Sequence, residues 1–230
     1  MFFDPLYILV MLVGLGLSGM AQLWVKSAFA RWSQVPLKRG MTGRDIAAAI
    51  LRAEGISGVT IEEVPGRLSD HYDPRTRTLR LSPENFRGNS IAAAGIAAHE
   101  VGHAIQHKEN YWPMGLRQRM VPLANIGTNL GVILVMIGGV VGAMGLAQFG
   151  VLLFAGFVLF TLVTLPVEFD ASFRARKALV DGGLVTGQEA EGVSRMLTAA
   201  AATYLAAAVT AILQLLYFAL RAGLLGNRDD

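Results

Sequence analysis

Four stretches of this chain are almost continuously apolar, and between them polar and apolar positions alternate with the periods of helices and strands. The apolar stretches cover residues 6–25, broken only by Ser18 and Gln22; 123–147, glycine-rich and free of charge; 149–167; and 199–220. The last is the most polar, through Thr203, Tyr204, Thr210 and Gln214. A helix rises about 1.5 Å per residue, so about 20 apolar residues cross the hydrocarbon of a bilayer. Each stretch therefore predicts a transmembrane helix. Little more than Gln148 separates the second from the third, which predicts a tight antiparallel hairpin there.

The segment 26–122 reads as a small folded module. Thr42-Gly-Arg-Asp45 followed by Ile46, Ala49, Ile50 and Ala53 predicts a capped amphipathic helix ending at Gly55. Val59, Ile61 and Val64 alternate as a short strand, and Asp70 to Pro74 has the residues of a turn. A second strand over Thr76 to Leu81 turns Leu79 and Leu81 to one face, and is either purely structural or offers its edge to an extended peptide. Gly88-Asn89-Ser90 then caps a helix over 91–107. A second polar segment, 168–198, predicts a helix from Glu168 to Val180, a turn at Asp181-Gly182-Gly183 and a helix capped by Thr186-x-x-Glu189.

Composition agrees with this division. Hydrophobic residues make up 53% and charged residues 16% of the 230, which excludes a disordered chain and disfavours an ordinary soluble domain. The absence of cysteine removes any disulfide framework, thiol nucleophile or thiolate metal site. A net charge of +3 would suit nucleic acid only if it formed a basic face. It does not: 18 of the 20 Lys and Arg fall in the segments 26–122 and 168–198, which four spans place on one side of the membrane. The positive-inside rule predicts that side to be cytoplasmic, with both termini outside, and predicts no nucleic-acid partner. The first span is not expected to be a cleaved signal peptide, because its basic residues follow the apolar run and Asp4 precedes it.

The chemistry concentrates in His99-Glu100-Val101-Gly102-His103. On a helix, positions four apart lie on one face about 6 Å apart in rise, so two imidazoles can share one zinc ion. Glu100 points about 100° away, placed to reach a zinc-bound water. Chance would produce this pattern in roughly three of a thousand chains of this composition. A catalytic zinc takes three protein ligands. His107 is too far along the same helix, while His71 lies in a loop that could reach. The favoured third ligand is Glu168 in Leu165-Pro-Val-Glu-Phe-Asp-Ala-Ser172, because the span-two and span-three hairpin returns it to the face from which the His99 helix departs. Asp170 is the substitute ligand or the residue that orients a histidine. With zinc-activated water attacking a scissile carbonyl, Glu100 acts as general base and then as proton donor to the leaving amine. His71, Tyr72 and Tyr204 are the candidates to stabilise the oxyanion.

These segments, with Arg39-Gly-Met-Thr-Gly43, Asp70-His-Tyr-Asp-Pro-Arg-Thr76 and Ala97-Ala-His-Glu-Val-Gly-His-Ala-Ile-Gln106, resemble the YugP-like neutral zinc metallopeptidases of bacterial membranes. The likeness runs over nearly the whole chain. It implies an integral membrane protease with zinc on His99 and His103 and catalysis by Glu100. It further implies a polypeptide substrate, itself a membrane protein, and a role in membrane-protein quality control. More distantly the chain looks like gluzincins of the HtpX type, whose third ligand is a helical Glu. Those usually carry an Asp four residues later, where this chain has Ser172. The expected architecture is a mainly α membrane protein, with four transmembrane helices and a small cytoplasmic α+β zincin-like module in the inner membrane. Two rival readings are an inert membrane scaffold with structural zinc and a metal transporter. A transporter should carry histidines and acids in mid-membrane, whereas all four histidines here fall between positions 71 and 107.

Overall fold

A computed structural model describes residues 4–67 and 69–225; of the stretch before the first span, residues 1–3 lie outside it. The described residues are mostly helical, with one small sheet. In order the elements are α1 (Pro5–Trp32), α2 (Gly43–Ala53), β1 (Thr60–Glu63), β2 (His71–Asp73), β3 (Thr78–Leu81), α3 (Pro83–Phe86) and α4 (Ile91–Lys108). They continue with α5 (Trp112–Ile126), a π-helical turn (Gly127–Gly131), α6 (Val132–Val141), α7 (Met144–Asp181) and α8 (Gly187–Arg221). Among the described residues, four helical stretches are long and apolar enough to cross a membrane: Pro5–Trp32, Trp112–Val141, Met144–Asp181 and Gly187–Arg221. The residues divide into two compact units.

The first unit comprises residues 4–22, 115–166 and 203–225. Its helices approach closely where side chains are small: a Cβ on Gly150 would lie 2.6 Å from the Val135 nitrogen, and one on Gly138 2.5 Å from that of Ala147. In a bilayer, where lipid is as apolar as leucine, such close backbone packing is what helices gain by associating. Aromatic rings fill the remainder, with Phe154 and Phe218 edge to face at 5.3 Å between centroids. The α6–α7 turn lies at Gly142-Ala143, five residues before the expected Gln148. Gly142 takes a left-handed φ of +77°, which costs glycine little. Gln148 lies inside α7 and donates its amide to the Ala222 carbonyl, so its polarity serves a helix end rather than a turn.

The second unit comprises Leu23–Met114 and Val167–Ala202. Its α2 begins with a complete capping box: Thr42 accepts from the Asp45 amide while Asp45 accepts from that of Thr42. The sheet order is β1-β3-β2, with β1 parallel and β2 antiparallel to β3. Two expectations change here. The stretch read as a turn at Asp70 to Pro74 contains β2, and the turn begins only at Asp73, whose carboxylate accepts from the Arg75 amide and the Thr76 hydroxyl. Moreover β3 is central, so of the two readings of this strand the structural one holds: both of its edges are already occupied and neither is open to an extended peptide. Leu79 and Leu81 are fully buried beside Ile46, Ile50, Ile91 and Val101, giving one core beneath α2 and α4.

Candidate metal centre

Ser90 caps α4 by accepting from the Ala93 amide, and the helix then runs unbroken through His99 and His103. Apart from these groups its buried surface is largely Ala and Gly, which lets neighbours come close. A Cβ on Gly102 would sit 2.4 Å from the Ala171 carbonyl oxygen, so α4 and α7 meet there backbone to backbone. That contact brings Glu168, one turn earlier on α7, up to the two histidines. Pro166 does not break α7, which is continuous through it.

The Glu168 Oε2 atom is 3.2 Å from His99 Nε2 and 3.7 Å from His103 Nε2. One ligand atom from each of the three residues lies within 4.8 Å of the others. A tetrahedral zinc with bonds of about 2.0–2.1 Å holds its ligand atoms about 3.4 Å apart, so the two imidazoles and the carboxylate fit such an ion in chemistry and in spacing. Burial sharpens the case, since Glu168 is only 2% exposed and an isolated charge there would be costly. Burial alone would lower the pKa of His103, but the Glu168 hydrogen bond and the charges of Glu100 and Glu168 outweigh it and hold it above the ordinary imidazole range. An arrangement that favours a cationic ring also favours a metal cation.

The remaining candidates are distributed unequally. Glu100 is buried on α4 beside the cluster, near enough for its charge to act on His103. Asp170 is not in the three-residue cluster; its carboxylate accepts from Gln106 and from Arg174 Nε, the latter at 2.5 Å. Tyr72 and His107 bond each other at 2.9 Å, and His71 is exposed, with its ring on the Ser69 carbonyl and Arg80. Tyr204 belongs to the first unit. Two contacts escaped the sequence reading. Gln106, fully buried, lies 3.0 Å from His103 Nδ1 through its carbonyl oxygen, and Ser172 Oγ lies 3.2 Å from His99 Nδ1. The legible signal for the first was a polar residue three positions after His103, on the same helix face as the two histidines; Ser172 showed only as a departure from a pattern.

Comparison with known proteins gives a consistent picture. A family model described as "Putative neutral zinc metallopeptidase" matches residues 7–223. The chain is 42% identical over 225 residues to "Putative membrane protease YugP" of Bacillus subtilis (strain 168), covering 98% of this chain and 99% of that protein. No solved structure matches the chain.

Proposed function

Because the chain belongs to the family described as "Putative neutral zinc metallopeptidase", we propose that it is an integral membrane endopeptidase that hydrolyses peptide bonds at a zinc held by His99, His103 and Glu168. The observation that carries this reading is the convergence of two imidazoles and a buried carboxylate within 4.8 Å. When bound, zinc supplies Lewis-acid polarisation of the scissile carbonyl and a water acidified toward neutrality. The residues of the chain do the rest. Glu100, adjacent in sequence and turned away from the ligand face, takes the proton of the attacking water and hands it to the departing amine. Its burial keeps competing solvent from that proton. The substrate class is polypeptide, with membrane proteins favoured by the chain's own spans, and the role is membrane-protein quality control. The crowding of Lys and Arg into residues 26–122 and 168–198 supports a cytoplasmic site in a bacterial inner membrane.

Glu100→Gln provides the test. The purified variant should hold as much zinc as the wild type and lose cleavage of an unfolded membrane-protein substrate by at least 100-fold, the scale of a removed general base. A wild type that retains zinc yet cuts no substrate would leave an inert zinc-bearing scaffold as the better reading.

A further inference from the structure

We infer that Gln106 is a positioning residue for the metal centre: its side-chain amide selects the His103 tautomer that presents Nε2 to the ion. This inference rests on the zinc assignment above. Gln106 has no exposed surface, so every polar atom of its side chain must find a protein partner. Its Nε2 donates to the Val167 carbonyl and to Asp170 Oδ2, each at 2.8 Å. Both are acceptors that offer no hydrogen, and Asp170 is held in turn by Arg174. A flipped amide would aim its oxygen at these two oxygens. The amide is therefore locked, and its carbonyl oxygen must face His103 Nδ1 at 3.0 Å.

A carbonyl oxygen only accepts, so the proton of a neutral His103 ring sits on Nδ1. The lone pair is left on Nε2, the nitrogen that faces Glu168. A metal-ligating histidine needs this arrangement, in which the second nitrogen donates to an outer acceptor that fixes ring rotation and tautomer. His99 receives a less determined version. Its Nδ1 meets the Ser172 hydroxyl, which can donate or accept and so selects no tautomer by itself. The two histidines thus differ in how firmly each is held, and the firm one draws on α7 at two points, through Val167 and Asp170. Further out, Arg174 also binds Glu109 at 2.6 Å, so the chain of contacts returns to the residue that caps α4.

The test measures zinc affinity by chelator competition on the full-length protein in detergent, together with His103 15N shifts in zinc-free samples at alkaline pH, where the ring is neutral. Gln106→Leu should weaken zinc binding by about 10–100-fold, the usual effect of removing a partner behind a metal-ligating histidine. The His103 shifts should move from a single Nδ1–H form to a tautomer mixture, with His99 unchanged. Asp170→Asn gives a milder variant should Gln106→Leu fail to fold: its amide can offer hydrogens to Gln106, so the lock loosens and zinc weakens by a smaller factor. Unchanged affinity and an unchanged tautomer in a folded Gln106→Leu or Asp170→Asn would overturn the inference. Loss of zinc binding in His99→Ala and Glu168→Ala, measured alongside, separates the two claims. If those variants keep zinc, the ligand assignment itself has failed.

Discussion

At the scale of single residues, two acids two positions apart on α7 have unlike duties. Glu168 is almost wholly buried against both histidines, whereas Asp170 meets Gln106 and Arg174 instead. Glu168→Ala removes a proposed ligand and leaves only two imidazoles, so it should retain far less zinc than Asp170→Ala, in which all three proposed ligands stay. Metal content after gel filtration in a weak chelator measures the order, and a reversed order would move the third ligand to Asp170. The likeness to gluzincins left the Asp position doubtful because Ser172 stands there. In this chain Ser172 touches His99, and the carboxylate contribution comes to His103 by way of Gln106.

At the scale of elements, the crossing of α4 on α7 depends on Gly102. Adding a methyl there would place carbon 2.4 Å from the Ala171 oxygen, and backbone cannot give way cheaply. Gly102→Ala should cost about 1–3 kcal/mol of stability, as overpacking does, and should also loosen zinc by forcing α7 away from the histidines. Chemical unfolding in detergent with and without zinc would show a smaller zinc-dependent gain than in the wild type. The α2 cap makes a separate prediction. Hydrogen bonds from the Thr42 hydroxyl and backbone hold the Asp45 carboxyl below its ordinary pKa. Its stabilisation is therefore present above the unfolded value near 4 and is lost as pH falls through the lowered folded value. Asp45→Asn should be less stable than wild type at pH 7, and the two should converge in acid; a difference that persisted at low pH would deny the cap this role.

At the scale of the whole molecule, the question is sidedness. The chain has no cysteine, so single engineered cysteines report position without background. Ser57 and Ala143 are both exposed, the first in the 26–122 segment and the second in the α6–α7 turn. Ser57→Cys should react with a membrane-impermeant maleimide only after inner membranes are opened, and Ala143→Cys should react in intact spheroplasts. The opposite pattern would put the metal centre outside the cell and remove the basis for a cytoplasmic quality-control role.

The sequence by itself determined what depends on residues three or four positions apart. The four apolar helices, the caps of α2 and α4 and the spacing of His99 and His103 are of this kind, since helix periodicity and capping are local. Only the tertiary structure decided which distant groups meet. It put β3 in the middle of the sheet, moved the hairpin turn to Gly142 and gave Tyr72 to His107. It also carried Glu168 across 69 positions to His99 and locked Gln106 between Val167 and Asp170. The last two turn on how closely α4 and α7 cross, which at Gly102 is set by the absence of one methyl group. No periodicity along the chain records which backbone will press against that gap.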